Sequence, residues 1–89
     1  MTQPTIELNS LTELPLGTTA RIVRIAGGRD LNRRLLGLGL HIGSEIRIEH
    51  RRGRGFVVAA GETRIALGGG IVEKLLVTPL ENTVVAEVE

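Results

Sequence analysis

Twelve glycines and three prolines divide this 89-residue chain so finely that no apolar run exceeds the five residues Phe56–Ala60. Glycine and proline end helices and strands alike, so short strands joined by tight turns are what such punctuation permits. A helix that spans a bilayer needs about 20 consecutive apolar residues, and no stretch here approaches that. The length suits one domain, since domains usually run to about 100–150 residues. Thirteen Leu, eight Ile and eight Val supply an aliphatic core, whereas Phe56 is the sole aromatic residue and Cys is absent. Disulfides, thiol nucleophiles, zinc ribbons and iron–sulfur ligation are thereby excluded. So are the aromatic platforms on which single-stranded nucleic acids stack and the aromatic-lined grooves that take Pro-rich peptides.

Residues 1–10 read as a polar N-terminal lead-in with a short extended piece at Thr5–Leu8, and they carry no secretory pattern, so a cytoplasmic protein is expected. Leu11–Leu14 alternates apolar and polar residues until Pro15 halts it. The β-branched segment Thr18–Ala26 is predicted to be a strand. Its phase changes, with Ala20 and Ile22 on one face and Val23 and Ile25 on the other, which marks a bend or bulge. Asp30 is a candidate N-cap for a helix from Leu31 of about two turns, with Gly39 as its left-handed C-terminal residue. Leu31, Leu35 and Leu38 fall within a ~60° arc and form the apolar stripe of that helix, leaving Leu36 off it. From Ser44 period two takes over, with Ile46, Ile48 and His50 sharing one face against Glu45, Arg47 and Glu49. Turns at Arg51–Gly55 and Gly61-Glu62 then give three strands in meander order. Leu75–Thr78 is a further strand, Ile71–Lys74 is too short to assign, and residues 81–89 form a weakly alternating C-terminal tail. Five to six short strands with one short α-helix over residues 11–80 predict an all-β fold, a small SH3-like barrel, because closure removes exposed strand edges.

The charges are unevenly placed. Residues 21–54 hold nine arginines against Asp30, Glu45 and Glu49, while the rest of the chain is net acidic, so the whole is only +1. Such asymmetry suits either an electrostatically selected partner or internal pairing. No phosphate-cradling motif is complete, because Ile42 stands where Gly37 and Gly39 would need a third glycine, and Gly68–Gly70 is not followed by Lys and Ser or Thr. Ser44 lacks a nucleophile-elbow context, so it reads as a turn residue and the chain as no enzyme. His41 and His50 are the candidate ligands for a divalent metal such as iron or zinc, within one chain or shared between chains. No cofactor is otherwise required. The arginines of the Arg51–Arg54 turn can pair with phosphates, yet with Glu45 and Glu49 interleaved a solvated hairpin tip is the simpler reading, and nucleic-acid binding is not expected. Leu36 beside Arg33 and Arg34 offers an apolar spot rimmed by charge, suited to docking a protein, or else a place covered by a terminal tail.

Several of these segments together resemble the family of ferrous iron transport protein A, FeoA. They are Leu11–Leu14 with Pro15-Leu16-Gly17, Ala20–Ile25, Asp30-Leu31, Arg34-Leu35, Gly39-Leu40 to Gly43, Ile46 and Ile48, Ile65-Ala66-Leu67, and Leu75–Val77. The run from Arg33 through Gly43 is the most specific part. The resemblance implies an SH3-like barrel acting as a small cytoplasmic accessory of bacterial ferrous iron uptake. Its implied partner is the cytoplasmic part of the membrane GTPase transporter FeoB, so that membrane contact comes only through that partner. The surface expected to dock there is Arg33, Arg34, Leu36 and Leu40. Direct sensing of a divalent metal is the alternative, an RNA-binding barrel stands third, and self-association stays open. Related barrels also occur as C-terminal domains of metal-dependent repressors, but the DNA-reading helices of those proteins have no counterpart here. One departure stands out: similar sequences usually carry polar, helix-favouring residues and an Ala where this chain has Gly68, Gly69, Gly70, Ile71 and Val72.

Overall fold

A computed structural model describes residues 8–80. Of the extended piece expected at Thr5–Leu8 only Leu8 is among the described residues, and it is not part of a strand, while the alternation expected over residues 81–89 lies outside them. In chain order the elements are β1 (Asn9–Ser10), a 3-10 turn (Leu11–Glu13), β2 (Thr19–Ile25), α1 (Arg29–Gly37), β3 (Glu45–Arg52), β4 (Gly55–Ala60), β5 (Thr63–Leu67), α2 (Gly69–Val72) and β6 (Leu75–Pro79). The six strands form one antiparallel sheet in the order β1-β6-β2-β3-β4-β5. The sheet curls as a small SH3-like barrel around an aliphatic core. No helix among the described residues is long and apolar enough to cross a membrane.

Every strand from β2 to β6 contributes to that core: Ala20 and Ile22, Ile46 and Ile48, Phe56 and Val58, Ile65 and Leu67, Leu75 and Val77 are all buried. Their period-two spacing is the reason these segments are strands, since alternate side chains reach one face of a pleated sheet. Leu11 and Leu14 join the same buried cluster. They do so from a 3-10 turn rather than the brief alternation expected there. Ser10 and Glu13 make a reciprocal capping box in which the Glu13 carboxylate accepts the Ser10 backbone N–H at 3.1 Å, a local set of bonds that favours a helical turn over extension.

Two bulges shape the sheet. The register of β2 against β6 shifts between Ile22 and Arg24, at the phase change read from the sequence. The register of β3 against β4 shifts between Ile48 and His50, and this one was not legible. It reverses the expected placement of His50, which is exposed rather than sharing the buried face of Ile46 and Ile48. An extra residue in one strand flips everything beyond it to the other face.

The glycine run Gly68–Gly70 has a structural role at Gly69. Gly69 opens the single turn of α2, and a Cβ placed there would lie 2.6 Å from Cβ of Arg54 at the tip of the β3–β4 hairpin. The hairpin tip can therefore settle against α2 only because position 69 has no side chain. Segment Ile71–Lys74, unassigned from sequence, supplies the end of this turn and the approach to β6.

Candidate functional site

Helix α1 carries the sequence-predicted docking residues, so its anchoring decides what they can do. It begins at Arg29, two residues earlier than expected. Gly28 is the N-cap and makes no side-chain cap bond, while its carbonyl accepts the Asn32 N–H at 3.1 Å and Asn32 Nδ2 at 2.9 Å. Asp30 thus lies in the first turn, where its carboxylate suits the helix dipole, and is not the cap. Leu35 is fully buried and Leu31 packs against the core.

The helix ends in a Schellman turn. Gly39 has φ 89°, the Gly39 N–H donates to the Leu36 carbonyl at 2.9 Å, and the Leu40 N–H donates to the Leu35 carbonyl at 2.8 Å. This pattern satisfies carbonyls that the helix leaves unpaired and brings the residue after the glycine back toward the helix. Leu40 is accordingly 0% exposed and part of the core, so it cannot belong to the docking surface expected of it. Leu38, expected on the apolar stripe, is the C-cap and is 44% exposed. The turn gives its place in the core to Leu40.

The remaining candidates divide between two sides of α1. Leu36 is 61% exposed, and at 100° per residue it lies about 60° from Arg33 but about 160° from Arg34. Leu36 and Arg33 thus share the solvent face. Leu38 and Ile42, both exposed, follow at the same end of the helix. Arg34 instead lines a cleft of ≈ 600 Å³ on the other flank, together with Arg29, Asp30 and Leu31 of α1, Ile71 of α2 and Lys74. Sequence reasoning missed this cleft, because Ile71 and Lys74 come from the far end of the chain. The run Gly68–Gly70 was the one local signal that something unusual happens there.

The candidate metal ligands are not brought together. His41 sits in the loop after α1, where a ring nitrogen, Nδ1, is 2.8 Å from the Ile42 carbonyl. Ser44 reaches back to this loop, with its Oγ accepting the His41 N–H at 3.0 Å and its N–H donating to the His41 carbonyl at 3.0 Å. That is the work of a turn residue. From Ser44 to His50 six residues of strand extend about 20 Å, so the histidines stand at opposite ends of β3. Among the described residues no group of three or more His, Cys, Asp or Glu side chains could hold a metal ion.

On the outer face of the sheet, acids and arginines pair with each other. Arg21 donates to Glu45 at 2.9 Å, and Arg47 donates to one oxygen of Glu49 through Nε at 3.0 Å and Nη2 at 2.7 Å. Arg64 Nε lies 3.4 Å from the other oxygen. The Arg47 hydrogen bonds, helped by the charges of Arg47 and Arg64, hold the Glu49 carboxyl below its ordinary pKa although desolvation acts the opposite way. At the hairpin tip the Arg51 guanidinium lies 5.2 Å from the centre of the Phe56 ring, a cation–π contact. Arg52 and Arg54 are exposed. Of the central arginines, Arg21 on β2 and Arg47 on β3 are thus in ion pairs, while the arginines of α1 form none among the described residues.

A family model described as the FeoA domain matches residues 9–79. No curated protein matches the sequence. Among solved structures, an iron uptake regulatory protein (FeoA) superposes with TM-score 0.75 at 27% identity, covering 84% of this chain and 100% of that one. Iron(II) transport protein A from Clostridium thermocellum gives TM-score 0.73 at 28% identity, over 81% of this chain and 46% of that one. A manganese-dependent transcriptional repressor shares the fold, with TM-score 0.78 at 24% identity over 86% of this chain and 44% of the repressor.

Proposed function

This chain belongs to the FeoA domain family, and on that premise we propose that it is a cytoplasmic accessory of bacterial ferrous iron uptake that binds the cytoplasmic part of the GTPase transporter FeoB and modulates it. The observation that carries this reading is the solvent face at the C-terminal end of α1. Leu36 is 61%, Leu38 44% and Ile42 58% exposed, with Arg33 alongside. Apolar side chains held in water by a rigid helix end, next to a cation, are what a protein-docking surface needs. The similarity to an iron uptake regulatory protein and to an iron(II) transport protein supports iron as the cargo of the partner system. The chain acts here by contact, with Ser44 engaged in its own turn.

The test is binding of the full chain to full-length FeoB in lipid nanodiscs, read by calorimetry together with GTP hydrolysis. Wild type is expected to bind. Leu36→Asp is expected to weaken binding by about tenfold or more, since it places a charge in a desolvated contact, and Arg33→Glu by less. Unchanged affinity in both variants, with folding intact, rejects this surface.

A further inference from the structure

We propose that the cleft between α1 and α2 is a second docking site, and that its occupant is an acidic segment of a protein partner carrying one aliphatic side chain. It lies on the flank of the helix away from Leu36 and does not depend on the identity of the partner proposed above.

The chemistry of the walls selects that occupant. Arg29, Arg34 and Lys74 line the cleft, are exposed, and make no ion pair among the described residues. Asp30 is the one acid lining the same space. The rim is therefore net positive, contributed by two segments distant in sequence, and complementary to carboxylates, which Arg binds through charge-assisted hydrogen bonds. Leu31 and Ile71 line it too and are half-buried against the core, so they offer apolar surface that a bound side chain would finish covering. A cleft of ≈ 600 Å³ has room for a short segment rather than a single ion. A nucleic acid would satisfy the cations but leave Leu31 and Ile71 without a partner, and no aromatic side chain lines the cleft for a base to stack on. An acidic peptide with an aliphatic anchor satisfies both parts of the wall at once.

Two contacts of the fold assemble this site. Gly69 lets the β3–β4 hairpin tip rest against α2, and α2 in turn carries Ile71 and leads to Lys74 opposite the first turn of α1. The Gly68–Gly70 run thus lies within the wall-forming segment.

The experiment titrates isotopically labelled full chain with a capped Glu-Glu-Leu-Glu-Glu peptide and follows backbone amides by NMR. The expected result is shifts centred on Gly27, Gly28 and Gly70, with affinity lowered about tenfold by the pair Arg34→Glu and Lys74→Glu. A Gln-Gln-Leu-Gln-Gln peptide and a Glu-Glu-Ser-Glu-Glu peptide should each bind more weakly, the first showing the need for charge and the second the need for the anchor. The variant Leu36→Asp should bind the peptide as wild type does even where it no longer binds FeoB, so the two surfaces fail separately. The proposal is overturned by shifts confined to the hairpin tip, by equal response to the uncharged peptide, or by a short RNA moving the same amides at lower concentration than the acidic peptide.

Discussion

Two glycines, two residues apart at the end of α1, should respond in opposite directions to the same substitution. At Gly39, φ is 89° and no atom lies within 4 Å of an added Cβ. Gly39→Ala therefore meets no steric neighbour, and its whole cost is the backbone. An L-residue in the left-handed region costs roughly 1–2 kcal/mol, partly offset by about 0.4–1 kcal/mol from the reduced freedom of the unfolded chain. A net loss of about 1 kcal/mol follows, acting on the turn that buries Leu40. At Gly37, the last residue of the helix and equally uncrowded, alanine should gain up to about 0.5 kcal/mol, less than the helix-interior propensity difference. Urea unfolding separates these cases. With a slope near 1 kcal/mol/M for a small domain, the midpoint should fall by about 1 M for Gly39→Ala and rise by up to about 0.5 M for Gly37→Ala. Asn at position 39, which tolerates the left-handed region, should recover part of the loss. Shifts of the same sign at both positions, or an unchanged midpoint for Gly39→Ala, would refute the assignment of the helix end.

Leu35 and Leu36 are neighbours with opposite environments, 0% and 61% exposed. Leu35→Ala should destabilise by about 2–5 kcal/mol, whereas Leu36→Asp should cost only about 1 kcal/mol in the same urea assay, from an acid in the last helical turn rather than from lost packing. Glu49, whose carboxyl Arg47 and Arg64 hold below the usual carboxylate range, gives a stability contribution with a definite pH window. A depressed carboxylate binds fewer protons folded than unfolded, so the contribution is complete above about pH 5 and is lost as pH falls through the folded value. Glu49→Gln should flatten the urea midpoint against pH below about 5 relative to wild type, and equal slopes in the two proteins would show that this carboxylate is not coupled to folding.

Much of the architecture was legible because it rests on local rules. Alternation of Ile46 with Ile48 placed a strand in which both are buried, and the turns at Arg51–Gly55 and Gly61-Glu62 placed the two strands that follow. The phase change after Ile22 gave the bulge in β2, and Gly39 gave the helix end. What failed were places where a rule was extrapolated past an interruption. Period two was carried through Ser44–His50, but β3 inserts an extra residue near Glu49, so His50 faces outward. Helical spacing was carried to Leu38, but the Schellman turn ends the helix first and buries Leu40 instead. In both cases long-range packing chose which residue to bury, and the local pattern was indifferent between the alternatives.

The candidate site shows a sharper limit. Arg33 and Arg34 look like one feature in sequence, yet consecutive helical residues point about 100° apart, and the core fixes which direction each takes. Leu31 and Leu35 anchor one side of α1. That leaves Arg33 beside exposed Leu36, and turns Arg34 toward the cleft that Lys74 also lines. The wheel alone could separate the two arginines, but it could not supply Ile71 of α2 or Lys74 in the approach to β6, which the fold places along the cleft beside the helix. A charge cluster drawn from the sequence therefore merged two surfaces with different neighbours. Reversing the charge of Arg33 and of Arg34 separately, rather than together, is what distinguishes them: the first perturbs the Leu36 face, the second the cleft.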